Sequence, residues 1–409
     1  MLLSFCQIWR KGVSLYVDKQ RNNMKNKTHN IFTFKLSKWI FLGFICLCSC
    51  AEEEEELIKK STETPRYLYV SSGACYSGNG ITTFTNLTSS NQFYRLNLAS
   101  GQKDTFIADF FSSPSSPGDS PISIAEYDSN RFAVLIENTT TATLRRIELI
   151  DKKQFGGRVT YSNNTTALSA QVRKMRKLSD GYMLISKSTA VEKITAGSGR
   201  LTIGANPWIS LATPTSACTT STTLISSILQ LPSGLLAFAH AGTGNARIGI
   251  VSALGYSIAG DCKAGQTAPS ANAFPTSMIY DKKNKYLIVS YGGSSTGADL
   301  NSIYAYSIDE TTGAISNPQK IYDSNQFGST YNFLLFGISA MAYDAEKQQL
   351  YVATTISNAT TAVNYRIEKL SYDPAKIGVS NSNVLSKSNT VFYDYGYDTK
   401  CISDLTISE

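Results

Sequence analysis

The sequence predicts an all-β fold built from one repeated strand pair, and three observations carry this. From Arg66 onward there is almost no helical periodicity, while short β-branched and aromatic runs recur between Gly, Asn, Asp and Ser turns. Three stretches share one pattern of strand, Asp-led polar turn and second apolar strand: residues 123–128 with 132–136, 277–281 with 286–290, and 339–344 with 350–353. The two ends of the region are complementary halves of the same pattern, because 67–72 reads as a second strand with no first and 401–407 as a first strand with no second.

The segment before this region reads as a targeting signal. A basic stretch from Met24 leads into a short apolar run from Trp39 to Cys48, followed by a small residue and a cysteine. The run is about ten residues where crossing a bilayer takes roughly 20, and Lys35 and Lys38 block its extension backwards. Residues 1–49 are therefore expected to be a signal segment whose working start is Met1 or Met24. Leu47-Cys48-Ser49-Cys50 resembles a bacterial lipobox, which implies cleavage before Cys50 and lipid attachment to it; an ordinary signal peptide cut near Ala51 is the alternative. The resemblance to lipoprotein sorting rules, with Ala51 after the cysteine, implies the outer membrane, on its periplasmic or cell-surface side. Glu52 to Glu56 repel one another and stay solvated, so residues 50–65 read as a tether and 66–409 as the folded domain.

Charge placement removes a nucleic-acid reading. The net charge is +7, but residues 1–49 hold eight of the 38 basic groups and one of the 31 acidic ones, leaving 30 of each. The chain beyond residue 49 is neutral overall and has no basic field with which to neutralise phosphates.

The repeat orders the elements along the chain. Looser copies of the hairpin occur at 172–177 with 182–186 and at 227–231 with 235–240. Second strands then begin at 67, 132, 182, 235, 286 and 350, at spacings of 65, 50, 53, 51 and 64, somewhat longer than the roughly 40–45 of WD40 blades. Third and fourth strands are expected at 93–98 with 105–108, 144–149 with 158–161, 191–194 with 200–203, 247–251 with 256–258, 303–308 with 319–322, and 365–370 with 376–379. Joining the two leftover ends completes a sixth hairpin and leaves no open sheet edge across the closure. The expected fold is an all-β, six-bladed β-propeller with four-stranded blades, closed by its N- and C-terminal strands. A seventh blade remains the alternative if one of the two longest intervals hides a degenerate copy.

Leu350-Tyr-Val-Ala353, and Ser302-Ile-Tyr-Ala-Tyr-Ser-Ile-Asp309 followed by Thr311-Thr-Gly-Ala-Ile315, resemble the YVTN-type propeller repeat and the bacterial lactonase-like propellers. The match extends over about two blades and is a matter of pattern elsewhere. It implies a propeller in agreement with the repeat, and a lactonase-like hydrolase or another propeller enzyme as the rival to a binding function.

Four cysteines lie in the folded domain: Cys75, Cys218, Cys262 and Cys401. Cys401 opens the first strand of the closing blade and Cys75 follows its second, and these positions share one end of an antiparallel hairpin, so Cys75–Cys401 and Cys218–Cys262 are the expected disulfides. No CxxC spacing suggests a metal, and neither metal nor cofactor is expected.

Turns within hairpins are short, whereas the connections 73–91, 109–121, 204–225, 259–274, 323–337 and 380–400 are long and fall on one face. Long loops on a rigid scaffold commonly carry binding function. The aromatic residues Phe110, Trp208, Phe274, Tyr331, Phe333, Tyr393, Tyr395 and Tyr397, set among Ser, Thr, Asn and Gly, are the candidate contacts for a protein or glycan; for any single ring, capping a blade or plugging the channel is the competing role. Catalysis has thin support: the chain has two histidines, His29 in the signal and His240 at a strand end, and no Ser/His/Asp order or phosphate-cradling loop occurs. The expectation is a monomeric, lipid-anchored binding module.

Overall fold

The computed structural model describes residues 65–73, 75–76, 84–85, 92–109, 119–138, 145–152, 158–161, 172–187, 190–197, 200–203, 209–210, 224–241, 247–252, 262–267, 269, 273–292, 302–322, 338–358, 362–380, 382–387, 392–394 and 401–408. These form an all-β propeller arrangement in which four strands run in sequence through each of six antiparallel sheets.

The closing sheet runs Cys401–Ile407, Tyr67–Gly73, Gln92–Asn97, Lys103–Asp109, so the last strand of the chain is paired with the first. Leu68 lies opposite Ile407 and Gly73 opposite Cys401, as the two half-patterns required. The second sheet is Asp119–Glu126, Arg131–Asn138, Arg145–Asp151, Arg158–Tyr161. The third is Val172–Lys177, Met183–Lys187, Ala190–Gly197, Arg200–Ile203, and the fourth Leu224–Gln230, Leu236–Ala241, Arg247–Val251, Cys262–Thr267. The fifth is Phe274–Asp281, Tyr286–Gly292, Ser302–Ile308, Ile315–Tyr322, and the sixth Ile338–Asp344, Gln349–Asn358, Ala362–Tyr372, Leu385–Lys387.

Two outer strands differ from expectation. In the fourth sheet the outer strand is Cys262–Thr267, with Gly265 opposite Gly249, and not 256–258, which lie outside the described residues. An outer strand is held by backbone pairing more than by burial, so β propensity is a poor guide to it. In the sixth sheet residues 376–379 are not a strand. Pro374 cannot donate to a ladder, Pro374–Lys376 forms a single 3₁₀ turn capped by the Asp373 side chain, and Gly378 takes a φ of +81°; pairing resumes at Leu385–Lys387.

The Asp-led turns form as read. Asp281 accepts from the backbone N–H groups of Lys283 and Asn284, and Asp344 from those of Glu346 and Lys347. The side chain thus supplies the turn's acceptor. The chain then passes through a left-handed residue, Lys285 in one and Gln348 in the other.

Core packing lies between sheets. Tyr69, Phe93, Ile124 and Phe132 join the closing and second sheets, Leu135 and Met175 the second and third, Leu184 and Phe238 the third and fourth. Ala239 and Val289 join the fourth and fifth, Ile288 and Val352 the fifth and sixth, and Val70 and Tyr351 return from the sixth to the closing sheet. The first strands also neighbour one another in the same cyclic order. Each sheet is therefore covered on both faces by its two neighbours, and the ring stands on hydrophobic burial repeated around a closed circuit.

Candidate functional site: the axial charge cluster and cavity

Every first strand carries a break in register at the same place, beside Ser403, Ile122, Arg173 and Lys174, Ser226, Thr276 and Ser339. A bulge leaves backbone groups unpaired in the ladder and re-aims the side chains around it. Here those groups are used between sheets. Ser123 Oγ accepts the N–H of Met175 at 3.0 Å, Ser277 Oγ that of Met341 at 3.3 Å, and Asp404 Oδ2 that of Ile124 at 3.0 Å. The residue after the bulge in one first strand thus ties down the next strand.

At the closing sheet this repeated position is an aspartate, and a buried charge cluster forms around it. Lys174 Nζ lies 2.9 Å from Asp404 Oδ1 and donates also to the Ser403 carbonyl at 3.0 Å. Arg176 presents its Nη1/Nη2 edge to the same carboxylate, at 2.9 Å to Oδ2 and 3.3 Å to Oδ1, and Ser123 Oγ donates to Oδ2 at 2.6 Å. Burial by itself would raise the Asp404 carboxyl, but the guanidinium and ammonium beside it, with the hydrogen bonds from Arg176 and Ser123, hold it well below the usual carboxylate range. Lys174, Asp404 and Ser123 are buried, and Arg176 retains one exposed side.

That exposed side lies in a cavity of about 500 Å³, walled by the carboxyl ends of the first strands and by the turns that follow them. Arg176, Gln230, Met278, Tyr280, Met341, Tyr343 and Thr406 contribute to it, with Lys282 and Lys283 exposed at its edge. It opens on the side of the ring that carries the short turns between first and second strands. Asp281 also reaches the wall, but its carboxylate is taken up by the turn N–H groups, by the Asn284 amide at 2.7 Å and by the Tyr372 hydroxyl at 3.1 Å. Burial raises the Tyr372 phenol, and the neighbouring Asp281 charge and hydrogen bond raise it further.

Most of the residues singled out from sequence fall elsewhere. Phe110, Trp208, Tyr331, Phe333, Tyr395, Tyr397, Cys50 and Cys218 lie outside the described residues. Phe274 is in the first position of its strand, opposite Gly292, and is buried. Tyr393 pairs with Ile367 of the sixth sheet and packs against Tyr94 of the closing sheet, ring centroids 6.2 Å apart. Phe392 lies against Tyr351, and its carbonyl approaches Gly101 so closely that a Cβ there would sit 2.3 Å away. For Phe274 and Tyr393 the structure shows packing. His240 is buried in its strand and stacks on Phe238 at 5.9 Å. In backbone terms Cys401 lies opposite Gly73, Cys75 begins a short strand next to the closing first strand, and Cys262 lies opposite Val251.

Lys174, Arg176 and Asp404 were missed by sequence reasoning. The signal was present, because Asp404 occupies the repeat position held by Ser123 and Ser277, and charged residues break the apolar pattern of the third sheet's first strand.

No protein-family model and no curated protein matches the sequence. Among solved structures the chain is similar to a protein of unknown function from Bacteroides caccae, at 9% identity over 84% of this chain and 99% of that one, with a TM-score of 0.47. It is similar also to a protein from Lactobacillus plantarum, at 12% identity over 85% and 100% with a TM-score of 0.47. A candidate 6-phosphogluconolactonase from Bacteroides uniformis matches at 13% identity over 79% and 81%, with a TM-score of 0.45.

Proposed function

We propose that the protein is a lipid-anchored, extracytoplasmic, six-bladed β-propeller that binds a partner rather than transforming a substrate. The observation that supports this most directly is the state of two carboxylates, Asp281 in the cavity wall and Asp404 buried behind Arg176. Asp404 accepts from Lys174, Arg176, Ser123 and two backbone N–H groups, and Asp281 from two N–H groups, an amide and a phenol. Carboxylates so engaged are poorly placed to take up or deliver a proton, which general acid–base catalysis needs. They hold strands in place instead.

The anchor follows from Leu47-Cys48-Ser49-Cys50 and the acidic tether behind it. In this reading lipid on Cys50 fixes the ring at the outer membrane, and the long connections present a protein or glycan site. Replacing Cys50 with Ala should move the chain from the membrane to the soluble fraction and remove the lipid mass. Captured partners or a glycan array should identify the ligand, and grafting a short turn in place of 323–337 should abolish capture with little change in Tm. Retained capture by the graft, or robust lactone hydrolysis by the native chain, would overturn the reading.

A further inference from the structure

The cavity on the short-turn side is separate from the loop surface proposed above, and the floor of this cavity has the chemistry of a ligand site. We infer that it binds a small organic monocarboxylate, held on the free edge of Arg176. The guanidinium has two forked edges. Its Nη1/Nη2 edge is spent on Asp404, and Nη1 also reaches the carbonyls of Met175 at 2.8 Å and Ile124 at 3.2 Å and, at 3.4 Å, Ser123 Oγ. Among the described residues no acceptor is placed on Nε or on the second Nη2 hydrogen. These two parallel donors match the two oxygens of a carboxylate.

Charge favours the same ligand. Lys174 and Arg176 face one carboxylate, Asp404, so the buried cluster holds one positive charge in excess. Lys282 and Lys283 add two exposed cations at the edge, balanced by Asp281 in the wall and by Glu310, which accepts from the Tyr280 hydroxyl at 2.8 Å, so the excess stays at one positive charge. A single carboxylate charge would neutralise the cluster's excess, whereas a phosphate dianion would exceed it. Rigidity favours it too, since the Asp404 contacts fix the guanidinium before any ligand arrives and little side-chain entropy is left to lose on binding. The rest of the wall suits an amphipathic body, with Met278 and Met341 offering apolar contact and Gln230, Tyr280 and Tyr343 offering polar groups. The volume lies within the range of small-molecule sites.

The test uses the full-length chain in detergent, with saturation-transfer NMR of benzoate and hexanoate against benzamide and hexanamide. The acids should give signals and the amides none. Arg176→Lys keeps the charge and loses the fork, and should weaken benzoate binding at least about tenfold. Because Arg176 also supports the cluster, the double variant Lys282→Glu/Lys283→Glu, confined to exposed side chains, should weaken it at least about threefold through charge alone. Absence of any acid signal, equal signals from acids and amides, or unchanged benzoate binding in the double variant would overturn the inference. The loop graft leaves this cavity intact, so failure here and failure of partner capture are separate results.

Discussion

Lys174 Nζ and Asp404 Oδ1 are 2.9 Å apart with neither side chain more than 2% exposed, an ion pair that ties the first strand of the third sheet to the last strand of the chain. A buried pair is weak evidence for stability as it stands, but removing one member leaves the other charge without compensation. Asp404→Ala would strand both Lys174 and Arg176. It should lower the unfolding free energy by about 3–5 kcal/mol in a guanidinium titration. A loss below about 1 kcal/mol would show that the cluster does not hold the ring.

The same carboxyl gives a pH dependence of definite sign. Its folded pKa lies below the unfolded carboxylate value of about 3.9, so the folded state binds this proton more weakly than the unfolded one. The stabilisation is therefore fully present above about pH 4 and is lost progressively as the pH falls below it. Tm measured from pH 6 down to pH 2 should fall less steeply in Asp404→Asn than in the native chain. Parallel curves would assign the acid lability to other groups.

Closure should depend on the terminal strand. Deleting 401–409 removes the partner of Tyr67–Gly73, with Asp404 and the buried Ile402 and Leu405, and opens a sheet edge. Loss of a cooperative melt, or aggregation on size exclusion, is the expected result. Non-reducing peptide maps should join Cys75 to Cys401 and Cys218 to Cys262. A Cys75–Cys401 bond would close so long a loop that the chain-entropy model gives it about 6 kcal/mol before any native strain. Cys75 joined to either of the other two would contradict the proposed pairing.

Gly249 offers a test of packing away from the axis. It lies opposite Phe238, and a Cβ on it would stand 2.1 Å from Cζ of that ring. Phe238 is buried between the third and fourth sheets and cannot swing out. Gly249→Ala should therefore cost about 1–3 kcal/mol by overpacking, measured by denaturant titration. A neutral effect would mean that the ring relocates.

The hairpin repeat was legible because an antiparallel strand buried between sheets needs β-branched and aromatic residues, and a tight turn needs an Asp acceptor and a left-handed residue. Asp281 with Lys285 and Asp344 with Gln348 state this almost literally. Outer strands were less legible, as Cys262–Thr267 shows, because pairing alone holds them and pairing leaves little trace in composition. The candidate site was the least legible part. Aromatic content drew attention to the long connections, yet Phe274 is buried and Tyr393 is half-buried against Tyr94, because exposure depends on where neighbouring strands lie.

By itself, then, the sequence determined the all-β class, the order of the hairpins, the union of the two ends and the charge balance of the chain beyond residue 49, all of them consequences of composition, local patterning and repetition. Tertiary structure decided what the axial residues do. Asp404 stands 230 residues from Lys174 and 228 from Arg176 in the chain, and a like-signed pair with a distant aspartate has no local signature. Only the bulges that re-aim successive first strands, and the closure that brings the last strand beside the second and third sheets, turn them into one buried cluster whose Arg176 lines a cavity.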